Sequence, residues 1–138
     1  MKKIFANSTY ETRASVALLL LRLVLGLAMT IHGWPKIQNP TNWAGDGFPA
    51  FLQLLAAVSE FGGGIAWIIG CLSVLASFGL FCTMAMATYV HMIVKGDPFV
   101  GKDGSYELAL IYFVFAIAIM VAGPGKFSVD QYLFKSKK

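Results

Sequence analysis

Charge is scarce in this chain of 138 residues. Only 13% of the residues are charged, about half of the fraction that is usual in soluble domains. By contrast, 57% of the residues are hydrophobic, and the mean hydropathy is +0.68. So few charges cannot cover the surface of a soluble domain, and the composition therefore indicates an integral membrane protein.

Residues that bind metals or act as nucleophiles are also rare. The two cysteines, Cys71 and Cys82, lie in apolar surroundings and are interpreted as small buried hydrophobic residues. The two histidines are far apart, and no spacing typical of a metal site occurs, so no metal is predicted. The glycine run 62–64 lacks the Lys-Ser/Thr partner of a phosphate loop, and no arrangement typical of a nucleophilic enzyme is present. No catalytic residue is therefore assigned.

The net charge of +4 does not indicate nucleic-acid binding, because the lysines concentrate at the two ends of the chain instead of forming a basic face. Their distribution predicts membrane orientation instead. Seven Lys and Arg residues lie in the predicted tails 1–13 and 126–138, and three lie in the predicted loops. The tail residues are Lys2, Lys3, Arg13, Lys126, Lys135, Lys137 and Lys138, and the loop residues are Lys36, Lys95 and Lys102. We therefore expect both termini to be cytoplasmic in a multi-pass protein of the cytoplasmic (inner) membrane.

Long apolar stretches predict an all-α integral membrane four-helix bundle that forms a single transmembrane domain over residues 1–138. Pro35 is expected to end the first helix, and Gly123 and Pro124 the last one. The apolar run from Ala50 to Val94 is too long for one crossing, so it is expected to fold back near residues 71–77. The predicted helices are 14–34, 50–71, 76–94 and 106–122.

Arg22 and Glu60 are the charges that lie deepest in the apolar segments. An unpaired charge at the middle of a bilayer costs about 2.5–3.5 kcal/mol on insertion scales. Topology places the two residues at similar depths on neighbouring helices, which predicts a salt bridge between them. Two interpretations stay open: the pair locks two helices together, or it forms part of a polar site in the membrane.

A second polar level is predicted near the outer ends of the helices, where His32, Lys36, His91 and Glu107 lie. Together with Arg22 and Glu60 they form a hypothetical site for ligand binding or proton relay. The alternative is that they are ordinary residues of the membrane–water interface. Small residues indicate close helix packing, and the glycines concerned are Gly26, Gly62, Gly63 and Gly70.

Short motifs follow one another along nearly the whole chain. They are Leu21-Arg22-Leu23 with Gly26, His32-Gly33 with Lys36, Glu60-Phe61-Gly62-Gly63-Gly64 with Gly70, Tyr106-Glu107-Leu108, and Gly123-Pro124-Gly125 with Ser128 and Asp130. As an ordered set, they resemble the DoxX family of small four-helix membrane proteins. The resemblance gives Gly123, Pro124 and Asp130 structural roles.

The DoxX family takes its name from a subunit of an archaeal thiosulfate:quinone oxidoreductase, and its members are linked to oxidative stress and to resistance against quinones and catechols. The resemblance implies a redox-associated membrane subunit that binds a quinone-like ligand. Since no motif for a redox cofactor is visible, electrons would come through a soluble oxidoreductase partner. The alternatives are a non-catalytic anchor or assembly protein for such an enzyme, and a carrier of a small solute or protons, for which a homodimer would supply a path.

Overall fold

The computed structural model describes residues 12–134, and these residues form helices and loops without a β-strand. The helices are α1 Thr12–Gln38, α2 Ala50–Ile69, α3 Ser73–Tyr89, which continues into a π-helical turn Val90–Val94, α4 Glu107–Ala122 and α5 Val129–Phe134. Three of them, α1, α2 and α3 with its π-helical turn, are long and apolar enough to cross a membrane, and α4 is a shorter apolar helix of 16 residues. The predicted all-α membrane bundle is confirmed.

Consecutive helices pack against each other, α1 on α2, α2 on α3 and α3 on α4. Trp67 lies at the centre of the core, where its ring meets the ring of Phe115 edge to face with 4.8 Å between centroids. Many large apolar side chains of all four helices point outward, as expected where lipid is the solvent. We call the end of the bundle that carries residues 70–72 and 123–134 the terminal end, and the end that carries loops 39–49 and 95–106 the distal end.

Glycines bring α1 and α2 into backbone contact. A Cβ atom on Gly26 would lie 2.8 Å from Gly64 O, and one on Gly33 would lie 2.7 Å from the Cα atom of Phe61. Gly62 was expected to share this packing role, but it lies on an exposed face with no atom within 4 Å of a Cβ placed there. The reason is the helical period: Gly63 and Gly64 face the neighbouring helices, and Gly62 is rotated away from them.

Two predicted helix boundaries are wrong. Pro35 does not end α1, which continues to Gln38. A proline inside a helix removes its own N–H donor, and its ring crowds the carbonyl group four residues earlier. Membrane helices tolerate proline because neighbouring groups satisfy the freed backbone atoms, and here only one turn of the helix follows it. The turn between α2 and α3 is also shorter than predicted and occupies residues 70–72, where Gly70 and Leu72 have left-handed backbone angles with φ of 69° and 50°.

The segment after α4 is not a simple tail, as was expected for residues 126–138. It folds back against the bundle and forms α5, whose Asp130 is completely buried. The backbone N–H of Asp130 donates to Gly70 O at 2.8 Å. The remaining parts of the two predicted tails, 1–11 and 135–138, lie outside the described residues.

Candidate functional site

Arg22 makes four hydrogen bonds, all to backbone carbonyl oxygens. Its Nε donates to Trp67 O at 2.8 Å and its Nη2 to Ile68 O at 3.2 Å. Its Nη1 donates to Pro124 O at 2.7 Å and to Phe127 O at 3.0 Å. The side chain, which is 1% exposed, thereby joins α1 to the end of α2 and to the segment after α4.

The predicted salt bridge between Arg22 and Glu60 is wrong. The last carbonyl groups of a helix have no partner within the helix, and in a membrane such groups need one. Arg22 supplies donors to those at the end of α2, because a guanidinium group presents several N–H groups in one plane. The depth argument placed Arg22 and Glu60 at nearly the same level, but the carbonyls at the terminal end are the nearer acceptors.

Asp130 caps the first turn of α3, as Arg22 caps the last turn of α2. Its two carboxylate oxygens accept hydrogen bonds from the backbone N–H groups of Leu72 and Ser73, at 2.7 and 2.8 Å. These N–H groups belong to the first turn of a helix, where an anionic acceptor is favoured. Arg22 and Asp130 both lie against Gly70, since a Cβ atom there would meet the Arg22 guanidinium group and Gly70 O accepts from Asp130 N. Arg22 and Asp130 therefore close the terminal end of the bundle.

Glu60 pairs with Lys36 instead. Lys36 Nζ lies 2.6 Å from Glu60 Oε1. The Glu60 side chain is 3% exposed, whereas that of Lys36 is 25% exposed. Because α1 continues beyond Pro35, Lys36 lies in its last turn and faces α2. The pair is thus a buried carboxylate with a cation that is partly accessible.

Loop 39–49, which follows α1, contacts this pair and is held in place by hydrogen bonds to α2. The ring of Trp43 lies 4.2 Å from Lys36 Nζ, which is a cation–π contact. Trp43 Nε1 donates to Gln53 O at 2.9 Å. The buried Gln53 amide accepts from Ala44 N and donates to the carbonyl oxygens of Gly45 and Phe48, each at 2.8 Å. All polar atoms of the Gln53 side chain therefore hold loop 39–49 in place.

Aromatic side chains of α1 and α4 contact each other. The ring of His32, which is exposed, meets that of Tyr112 edge to face, with 6.4 Å between centroids. Tyr112 is only 3% exposed. Its ring therefore belongs to the packed interior of the bundle.

The remaining predicted residues of the outer level lie apart from this pair. His91 Nδ1 is 2.6 Å from Asp97 Oδ2, within the distal end of α3 and the loop that follows. Glu107 begins α4 and is half-buried, and its backbone N–H donates to Phe99 O. The structure thus pairs Lys36 with Glu60, and it places His32 against Tyr112.

Sequence reasoning missed Tyr112, Gln53 and Asp97. Gln53 is a polar residue inside an apolar helix, a signal that the sequence did carry, whereas Tyr112 did not stand out because tyrosine is common in membrane helices. The contact of Asp97 with His91 depends on the π-helical turn, which no sequence pattern predicted.

Comparison with known proteins agrees with this architecture. The family model described as DoxX matches residues 17–92. An uncharacterized protein of Haemophilus influenzae is 32% identical over 121 residues, which cover 83% of this chain and 89% of that protein. A Bacillus subtilis protein named "Putative oxidoreductase CatD" is 24% identical over 136 residues, which cover 96% of this chain and 95% of that protein.

No solved structure matches the chain. The family model spans more than half of the residues, and it includes Arg22, Lys36 and Glu60. The chain therefore belongs to the DoxX family of membrane proteins.

Proposed function

We propose that this protein is the membrane subunit of a redox system and binds a quinone-like ring at the Lys36–Glu60 pair. The observation that carries the proposal is the near-complete burial of the Glu60 carboxylate beside a lysine that remains partly accessible. The similarity to a protein named as an oxidoreductase supports the redox association.

A structural role alone accounts poorly for this ion pair. Buried ion pairs contribute little net stability, since desolvation offsets much of the attraction. Arg22 connects three segments, which are α1, the end of α2 and the segment after α4. Lys36 and Glu60, in contrast, connect only α1 and α2. Those two helices already meet through the backbone at Gly26 and Gly33. The ion pair is therefore not needed to hold them together.

The pair has unused capacity for hydrogen bonds. A lysine ammonium group has three N–H donors. One of those of Lys36 is directed to Glu60 Oε1, and the ammonium also lies over Trp43. A further donor can bind a carbonyl oxygen of a ring, while Glu60 Oε2 can accept a proton or a hydrogen bond from a ring hydroxyl group.

The neighbouring aromatic groups suit a flat ligand. Tyr112 and His32 supply ring surface from α4 and α1, and Tyr112 adds a phenol group. In this proposal the side chains bind, orient and exchange protons with the ring, and a soluble oxidoreductase partner exchanges the electrons. With both termini in the cytoplasm, the distal end and its site would lie in the outer half of the membrane.

Binding of duroquinone to the purified protein in lipid nanodiscs, measured by calorimetry, tests the proposal. Its ring is fully substituted, so the thiols of Cys71 and Cys82 cannot add to it. We expect Lys36→Met to weaken the binding of duroquinone about 10- to 100-fold, the size of one hydrogen bond to a charged group. Glu60 accepts only from a ring hydroxyl group, so we expect Glu60→Gln to weaken the binding of the reduced form, durohydroquinone, by a similar factor. Asp46→Asn, in the exposed part of loop 39–49, is the matched control and should leave the affinity unchanged.

Two results would overturn the proposal. One is the absence of duroquinone binding to the wild-type protein. The other is an affinity of Lys36→Met for duroquinone, or of Glu60→Gln for durohydroquinone, that equals that of the wild type.

A further inference from the structure

Gln53 is the buried residue that fixes loop 39–49 to α2. It lies in the first turn of α2, and it is 2% exposed. Its backbone oxygen accepts a hydrogen bond from Trp43 Nε1. Its side-chain amide makes three more hydrogen bonds to the loop, with Ala44, Gly45 and Phe48. Replacement of this one side chain would therefore release the loop at three places and leave the bond of Trp43 intact.

The part of the loop that follows Ala44 lies in open space. Residues 45–49 are exposed, and a Cβ on Gly45 or Gly47 would have no atom within 4 Å. Gly45 also has a φ of 71°, a backbone conformation that glycine adopts readily. A loop that is held by one side chain and has room around its glycines can change position as a unit.

Trp43 is the residue by which this loop covers the ion pair. Its ring lies 4.2 Å from Lys36 Nζ, and Lys36 is the accessible member of the pair, since the Glu60 side chain is 3% exposed. The seam between α1 and α2 is closed next to the pair. A Cβ on Gly33, one turn before Lys36, would lie 2.8 Å from the carbonyl carbon of Glu60. A ligand that approaches the pair past Lys36 therefore meets the ring of Trp43.

We propose that loop 39–49 controls access to the Lys36–Glu60 pair, with Trp43 covering Lys36 in the closed state and Gln53 holding the loop closed. Gln53 is thus a positioning residue that acts on the site through Trp43. This inference rests on the proposed function for the ligand that passes the loop, whereas the two states of the loop do not depend on the ligand. Opening exchanges the hydrogen bonds of Gln53 with the loop for bonds to water, which residues 45–49 already face.

Acetylation of Lys36 by a membrane-impermeant N-hydroxysuccinimide ester tests the loop without a ligand. The full-length protein in nanodiscs is modified, and mass spectrometry of the peptides gives the rate at each lysine. Lys95 and Lys102, which are exposed in loop 95–106, are the internal references. We expect Gln53→Leu to raise the rate at Lys36 about fivefold to tenfold, the size of one hydrogen bond, and to leave the reference rates unchanged.

Gln38→Leu is the matched control, because Gln38 is exposed at the end of α1 and lies two residues from Lys36. It should leave the rate at Lys36 unchanged. Trp43→Leu removes the covering ring and should raise the rate at least as much as Gln53→Leu. The two substitutions combined should raise it no further than Trp43→Leu alone, because Gln53 acts through Trp43.

Melting temperatures show whether the variants are folded. If Gln53→Leu does not fold, Gln53→Asn takes its place, because it keeps the amide group and shortens its reach by one methylene group. The same increase in the rate at Lys36 is then expected of Gln53→Asn.

Stopped-flow binding of duroquinone connects the loop to the ligand. A loop that opens more often speeds entry and exit alike. We therefore expect Gln53→Leu to raise the association and dissociation rate constants of duroquinone together, about fivefold to tenfold. A residue that only stabilised the protein would lower the melting temperature and change neither rate constant.

The outcomes separate this inference from the proposed function. If duroquinone binds and Gln53→Leu changes neither the acetylation rate nor the rate constants, the inference is wrong and the proposed function stands. Faster acetylation with unchanged rate constants, or additive effects of Gln53→Leu and Trp43→Leu, would also overturn the inference. If acetylation becomes faster but the wild-type protein does not bind duroquinone, the proposed function fails and the control of access to Lys36 stands.

Discussion

At the scale of single residues, the two deepest charges of the chain differ in what they bind. Arg22 uses four of the five N–H donors of its guanidinium group on backbone carbonyl groups at the terminal end. Glu60 has one lysine partner, Lys36. The guanidinium group of Arg22 is largely occupied and buried, whereas the ammonium group of Lys36 is partly accessible. Two charges that look equivalent in the sequence therefore have different roles.

Replacement of Arg22 by methionine should destabilise the protein by about 2–4 kcal/mol, because four carbonyl contacts are lost inside the membrane. Arg22→Lys should recover only part of this, since a single ammonium group cannot reach all the acceptors that lie around the edges of the planar guanidinium group. Unfolding in mixed micelles measures the effect. Arg13→Met, on the exposed part of α1, is the control, and an equal loss in the two methionine variants would contradict the role given to Arg22.

At the scale of helices, the contact between α1 and α2 places the site. The absence of side chains at Gly26 and Gly33 lets the backbones touch, which brings Lys36 within 2.6 Å of Glu60. The continuation of α1 past Pro35 is equally important for the position of Lys36, because it puts this residue on a helix instead of in a loop.

Gly33→Ala should therefore disturb both stability and ligand binding. The added Cβ would overlap the backbone of Phe61, which cannot move aside as a flexible side chain would. We expect a loss of about 1–3 kcal/mol, typical of overpacking, and weaker duroquinone binding because α1 and α2 are forced apart.

Gly62→Ala is the matched control, with open space at the added Cβ. It should be neutral or stabilising by up to about 1 kcal/mol, the difference between glycine and alanine in a helix. Thermal unfolding and calorimetry on the two variants provide the comparison. Equal stability of the two would show that the backbone contact between α1 and α2 is looser than described.

At the scale of the whole molecule, composition and apolar periodicity were sufficient to predict the helical membrane bundle. They could not predict the partners of the polar residues. Depth along the helices placed Arg22 and Glu60 at one level, but it contains no information on the carbonyl groups at the end of α2 or on the segment that folds back to them. Only the three-dimensional packing shows that residues more than 100 positions away, at Pro124 and Phe127, complete the environment of Arg22.

The site itself was predictable in part. Lys36, Glu60 and His32 were identified as polar residues in or beside apolar helices. Tyr112 was not, because tyrosine is common in membrane helices and nothing in the sequence places it against His32.

The central claim is that a quinone-like ring binds at the distal end, beside Lys36 and Glu60, and not at Arg22. Photo-crosslinking with an azide-substituted 1,4-benzoquinone, followed by mass spectrometry of the peptides, tests it most directly. We expect labels near Lys36, Trp43 and Tyr112, with the yield reduced in Lys36→Met and by excess duroquinone. Labels confined to the terminal end around residues 70–72 and 124–128, or a yield that excess duroquinone does not reduce, would contradict the claim.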